Sequence, residues 1–200
     1  MDIFGFYLDP FELFGTIFGI IGVWLTIKEN ILCFPVGIVN VGLYAWLFAS
    51  AKLYADSALQ VIYIALLIYG WYNWIHGKKK DEELPVTGFQ LRQWIPILFI
   101  GLLLFLSIRF ILINYTDGHL PNWDSLTMGM SLIAQWMIAK KKVENWIIWI
   151  IADIIYVGMY IYKDLYLTAF LYSIFIILAV VGYMDWRSKM KTINTAWASE

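Results

Sequence analysis

The chain has 200 residues, of which 62% are hydrophobic, 18% aromatic and 14% charged, and its formal net charge is −1. A water-soluble domain of that make-up would expose more apolar surface than a monomer tolerates; the near-neutral formal charge argues nothing about nucleic acid by itself, and no nucleic-acid partner is expected. A single cysteine, Cys33, excludes an internal disulfide and a thiolate metal site of the usual kind.

Seven apolar stretches follow in order, at 11–27, 31–49, 54–75, 94–113, 126–139, 146–162 and 165–184. A hydrocarbon core of roughly 30 Å asks for about 20 helical residues, so each stretch predicts a transmembrane helix, the fifth and sixth being short and completed by interfacial residues. Asp2 and Asp9 precede the first stretch with no basic residue, which is unlike a secretory signal, and a retained helix is expected there. The prediction is an all-α integral membrane protein with almost no room for a soluble domain.

If the seven helices alternate, Lys28, Lys78, Lys79, Lys80, Arg92, Lys140, Lys141, Lys142, Arg187, Lys189 and Lys191 share one side. The other side holds Lys52 and Lys163, with Asp2, Asp9, Asp117 and Asp124. The excess of basic residues marks the cytoplasmic side, so the N-terminus is expected outside and the C-terminus inside. Arg109 lies within the fourth stretch near its outer end, where a long side chain snorkels to the interface.

The chain also repeats. Trp24 and Trp136, Lys28 and Lys140, Tyr44 and Tyr156, Leu53 and Leu165, Tyr54 and Tyr166, Gly70 and Gly182, and Trp74 and Trp186 are each 112 residues apart, with no gap needed. A first three-helix repeat is therefore expected at 11–75, a linker helix at 94–114, a second repeat at 126–184 and a cytoplasmic tail at 185–200. One linker helix brings the second repeat into the membrane in the same orientation as the first, so the two are parallel.

Polar residues inside spans are expensive unless they face protein or a wet cavity. Asn40, Asp56, Gln60, Gln135 and Asp153 are the candidates. Trp146, Trp149, Asp153, Tyr156 and Tyr160 lie on one face of the sixth helix, a stripe that suits a flat organic cation through stacking, cation–π attraction and charge. Asp56, Gln60, Tyr63, Gly70 and Trp74 form the matching stripe on the third helix, and Tyr172 holds the place in the second half that Gln60 holds in the first. The candidate substrate-binding set is Asn40, Gln60, Tyr63, Gln135, Trp146, Trp149, Asp153, Tyr156 and Tyr172.

Blander readings apply to several of these. Trp74, Trp94 and Trp186, with Trp146 beside the lysine run, fit interfacial anchors, and Asn40 and Gln60 fit interhelical hydrogen bonding as well as ligand contact. Gly15, Gly19, Gly22 and Gly37 suit close helix packing. His76 and His119 fall on opposite sides, so they share no metal or catalytic site. Ser131 and Thr168 have no identifiable base, which counts against an intramembrane enzyme, and a purely structural subunit would not need polar, aromatic stripes in both halves.

Leu59-Gln60, Ile68-Tyr69-Gly70-Trp71-Tyr72-Asn73-Trp74 and the run Val143-Glu144-Asn145-Trp146-Ile147-Ile148-Trp149 followed by Asp153 resemble the PnuC family of bacterial vitamin transporters, over nearly the whole chain. The resemblance implies a SWEET-like three-plus-one-plus-three fold in a bacterial inner membrane. It implies uptake of nicotinamide riboside, with thiamine and, less readily, riboflavin as alternatives, by facilitated diffusion and alternating access. Phosphorylation in the cytoplasm would trap the substrate. No enzymatic activity, cofactor or metal is implied; the partners are the vitamin and the bilayer, and a homo-oligomer stays open. Asp153 departs from members with Asn there, which bears on the choice of vitamin.

Single cysteines placed at positions 2 and 195 test the topology. The first should react with an impermeant thiol reagent added outside and the second only with reagent admitted inside; labelling of both from one side would overturn the seven-helix arrangement.

Overall fold

In hydrocarbon each backbone N–H and C=O must be paired within the protein, and the seven apolar stretches meet that demand as seven helices. The structure is a computed structural model describing residues 2–3, 6–7, 10–50, 54–77, 84–116 and 120–197. Its helices are α1 (Pro10–Ile27), α2 (Cys33–Ser50), α3 (Tyr54–His76), α4 (Leu91–Tyr115), α5 (Pro121–Ala139), α6 (Asn145–Tyr162) and α7 (Tyr166–Trp197). Lys52, Leu53, Lys78, Lys79, Lys80, Asp9, Asp117 and His119 lie outside the described residues, as do the side chains of Asp2, Tyr54 and Asp56.

Two boundaries differ from the sequence reading by more than a turn, and one element is added. Ahead of α1, β1 (Asp2–Ile3) pairs antiparallel with β2 (Phe6–Tyr7), an addition to the all-helical expectation. Helix α5 starts at Pro121 rather than near 126, because proline suits the first helical turn, whose N–H groups lack intrahelical partners anyway. Helix α7 continues to Trp197, because no proline or glycine follows Gly182 to stop it and a helix past the apolar run needs no lipid contact.

Helices α2, α4 and α6, with Ser57–His76 of α3 and Tyr166–Lys191 of α7, are long and apolar enough to cross a membrane, and Phe14–Ile27 of α1 is a shorter apolar helix. Helix α5 is more polar, and it is enclosed: Ser125, Thr127, Gly129, Ser131, Leu132, Ala134, Met137, Ile138 and Ala139 are all buried. The chain divides into two compact units, Met1–Tyr72 and Asn73–Glu200. In the first, α1 lies against α2; in the second, α4 packs on α5, α5 on α6 and α6 on α7.

The repeat is visible in the backbone. Helix α1 ends with Glu29 in the left-handed region (φ 54°), and α5 ends with Lys141, 112 residues later, in the same conformation (φ 47°). Around Glu29, the N–H groups of Glu29 and Asn30 donate to Thr26 and Leu25; around Lys141, those of Lys141 and Lys142 donate to Ile138 and Met137 at matching positions. These bonds form a Schellman turn, which satisfies carbonyls that the helix leaves open. Asp164 (φ 58°) closes α6 in the same way, with Asp164 and Leu165 donating to Ile161 and Tyr160.

Packing follows the same offset. A Cβ at Gly15 would lie 2.7 Å from the Tyr44 hydroxyl, so α1 and α2 touch through a glycine and a ring. Between α5 and α6 the corresponding pair is Thr127 and Tyr156, which are also neighbours. In α7 a Cβ at Gly182 would lie 2.7 Å from the Trp146 indole. The corresponding Phe34 and Gly70 of the first half are buried as well.

Two variants check this packing by thermal unfolding in detergent. Gly182→Ala drives a methyl into a buried indole and should cost about 1–3 kcal/mol. Glu29→Gly removes a side chain from left-handed backbone and should stabilise by about 1 kcal/mol, leaving the fold unchanged.

Candidate functional site

Helix α6 carries the main stripe, and the structure divides it along its length. Trp146, at the end near the lysine run, is 2% exposed and meets Trp186 edge-on, with ring centroids 5.4 Å apart. Trp186 in turn lies 6.3 Å from Trp74, its counterpart in the repeat, and the Lys141 ammonium sits 4.5 Å from the Trp74 ring centroid. Trp74 Nε1 donates to the Ile138 carbonyl (3.1 Å) and Asn73 Nδ2 to the Ala139 carbonyl (2.7 Å), capping the end of α5. Trp146 is thus packed into an aromatic layer, whereas Trp149, three residues on, is half-buried.

Asp153 comes next on the stripe, and its residue is 4% exposed. No hydrogen bond or ion pair reaches its carboxylate among the described residues, and no basic side chain acts on it. Beyond it the rings gather. Tyr156 and Tyr160 are stacked on the same helix with centroids 6.0 Å apart, and Tyr172 of α7 approaches them at 4.9 and 5.0 Å. Phe175 closes the group edge-on to Tyr172 at 5.6 Å. All three tyrosines lie within electrostatic reach of Asp153.

Helix α5 supplies the polar wall. Tyr156 lies beside Thr127 and Ser131, and the Ser131 hydroxyl is buried against it. Thr127 returns its hydroxyl hydrogen bonds to Trp123 and Asp124 of its own helix. Gln135 is half-buried one turn beyond Ser131. The structure therefore brings Asp153, Tyr156 and Tyr172 together, places Trp149 and Gln135 on the adjoining turns, and removes Trp146 to the aromatic layer.

The first-half candidates lie in the other unit. Asn40 is on α2 and its Oδ1 is buried with no hydrogen-bond partner among the described residues. Gln60 and Tyr63 are half-buried on α3, which is tied to α2 near its start by Ser57 Oγ donating to the Ala45 carbonyl at 3.0 Å.

Two ring residues were absent from the sequence-derived set. Tyr160 stood on the stripe without being chosen, and Phe175 was missed although it is the repeat counterpart of Tyr63, a signal that was available. The connection before α4 was also missed. Thr87 bridges to Lys142 in parallel register, Phe89 N–H donates to Glu144 Oε1 at 2.6 Å, and Lys142 Nζ donates to Thr87 Oγ1 at 2.9 Å. Partial burial lowers the Lys142 ammonium below the usual lysine value, an effect Glu144 opposes. This places Glu144 in a clasp at the end of α5 and α6.

The chemistry on offer is recognition. A nearly buried carboxylate without a partner costs several kcal/mol when ionised, and a cation brought beside it offsets that cost. Aromatic faces around it favour an organic cation over a hydrated metal ion. Among the described residues no three His, Cys, Asp or Glu side chains cluster as metal ligands.

Known proteins share this architecture. The family model described as nicotinamide mononucleotide transporter matches residues 9–188. The chain is 28% identical over 207 residues to the nicotinamide riboside transporter PnuC of Escherichia coli, covering 91% of this chain and 87% of that protein. It is 23% identical over 181 residues to the riboflavin/roseoflavin transporter RibM of Streptomyces davaonensis, covering 88% of this chain and 83% of that one. In three dimensions it is similar to the crystal structure of the vitamin B3 transporter PnuC, with a TM-score of 0.72 at 22% identity over 90% of this chain and 81% of that one.

Proposed function

The chain belongs to the nicotinamide mononucleotide transporter family, and on that premise we propose that it carries nicotinamide riboside across a bacterial inner membrane by facilitated diffusion. The observation that carries the choice of substrate is Asp153, 4% exposed and without a partner among phenol rings. The mononucleotide bears a phosphate, which a buried carboxylate repels. The riboside bears one fixed positive charge on a flat pyridinium ring, which the carboxylate attracts and which aromatic faces stack against. Relatives in Escherichia coli and Neisseria mucosa are named nicotinamide riboside transporters, which supports the same reading.

In this proposal Trp149 stacks on the pyridinium ring, Asp153 neutralises it, and Gln135 and the Tyr156 and Tyr172 hydroxyls address the ribose. Asn40, Gln60 and Tyr63 of the first half contribute by the logic of the repeat, and Trp146 acts by supporting the helix that presents Trp149. Asp153 is the carboxylate nearest the middle of a span among the described side chains, and the scarcity of others supports an uncoupled carrier over a proton- or sodium-driven one. Net uptake then requires removal of the free riboside inside, and phosphorylation does that by adding a charge that cannot recross. The N-terminus lies outside and the C-terminus in the cytoplasm. The protein catalyses no chemical step.

Proteoliposomes offered radiolabelled nicotinamide riboside, the mononucleotide, thiamine or riboflavin test the reading. Riboside uptake should run downhill and persist without a pH or sodium gradient. Transport of the mononucleotide in preference to the riboside would overturn it, and preferred thiamine uptake would reassign the cation site to another flat cation. Asp153→Asn should weaken riboside binding by at least about 1 kcal/mol more than it weakens binding of uncharged riboflavin, the size expected even at high effective dielectric. Trp149→Ala should weaken riboside binding about tenfold through loss of stacking. Wild-type affinity in either variant would remove that residue from the site.

A further inference from the structure

Arg109 has no part in this site, yet it is an exposed cation inside a membrane span. It sits on α4 six residues before the helix ends at Tyr115, and its Nε donates to Asn122 Oδ1 of α5 at 2.7 Å. That bond fixes the guanidinium and leaves its two terminal nitrogens without a partner among the described residues. A guanidinium held within a span with free donors calls for an anion, and phosphate matches its planar fork.

Asn122 is also the polar end of a groove of about 560 Å³ between α4 and α5. Its walls are otherwise apolar, with Leu98, Leu102 and Phe105 on α4 and Leu126, Met130 and Ile133 on α5 among the lining residues. Gly101 lies against Ile133 and Gly129 against Leu104, so the helices run side by side and the groove follows their length. From Trp94 to the level of Arg109 is 15 helical residues, roughly 22 Å at 1.5 Å per residue, more than the roughly 15 Å depth of one leaflet. The outer rim is open, with Leu98 67% and Leu102 53% exposed.

We propose that this groove with Arg109 is a binding site for one anionic phospholipid, its phosphate on the Arg109 guanidinium and one acyl chain lying between α4 and α5. Charge complementarity selects the occupant. A second copy of the chain would fill the apolar length but would have to bring its own anion to Arg109, whereas a phospholipid carries anion and chain in one molecule at the spacing that the groove provides.

Native mass spectrometry of the full-length protein in detergent tests this, with phosphatidylglycerol, phosphatidylcholine and inorganic phosphate offered separately. Phosphatidylglycerol should be retained at one per chain, more tightly than phosphatidylcholine. Arg109→Gln should weaken retention about tenfold, the loss of one charge-assisted contact. Leu98→Trp, which fills the groove from its exposed rim without entering the packing, should weaken it similarly, and riboside uptake should be unchanged in both variants. Unaltered phosphatidylglycerol retention in Arg109→Gln would overturn the proposal. So would competition by inorganic phosphate alone, which would leave the groove no role, or an oligomer that Leu98→Trp dissociates while no lipid is retained, which would assign the groove to a second copy.

Discussion

Every helix leaves its last carbonyls without intrahelical partners, and a tight reversal into the next helix must close them. This protein does so with left-handed residues at Glu29, Lys141 and Asp164, each completing the same pair of backbone hydrogen bonds. Side chains reach the carbonyls that the turn itself leaves open, as Asn73 and Trp74 do at the end of α5. The direction in which each turn returns the chain sets which helix faces which. The turn at Lys141 lays α6 against α5, which puts Tyr156 beside Thr127 and Ser131 and presents Asp153 among rings rather than lipid.

Duplication supplies the scaffold, and divergence supplies the chemistry. Equivalent positions keep equivalent mechanical duties, as with Glu29 and Lys141 in the turns or Trp74 and Trp186 in the aromatic layer. The neighbouring rings Tyr44 and Phe48 of the first half correspond to Tyr156 and Tyr160 of the second. The carboxylate inside the span is not duplicated, because Asp153 corresponds to Val41. A single carboxylate in an otherwise paired framework gives a ligand one favoured orientation, which two equivalent charges would not.

Helices α4 and α5 divide the cost of the membrane between them. Helix α5 carries Ser125, Thr127, Ser131 and Gln135 because neighbours cover it on both sides, and α4 meets the lipid with Leu98, Phe99, Leu102, Leu103 and Leu106. A linker helix between repeats thus has a physical duty beyond orientation: it shields the polar wall of the second half.

The sequence by itself determined seven helices, the offset of 112 and the asymmetry of basic charge, because these depend on hydropathy, identity and spacing that neighbours do not alter. It also singled out Asp153, since a carboxylate in an apolar run is conspicuous wherever the run goes. The start of α5 at Pro121, the extension of α7 to Trp197 and the strand pair before α1 rest on local hydrogen bonding that hydropathy does not report. The lysine run beside Trp146 already offered it an anchor's role, but of two indoles that periodicity places on the same face, only the tertiary structure showed Trp146 covered and Trp149 half-buried. The reason is that Gly182 and Trp186 of α7 cover one and not the other. The joining of Tyr160, Tyr172 and Phe175 and the clasp of Phe89 on Glu144 are likewise products of long-range packing. Helical spacing states which side chains share a face; what covers that face depends on residues far along the chain, and only the fold brings them there.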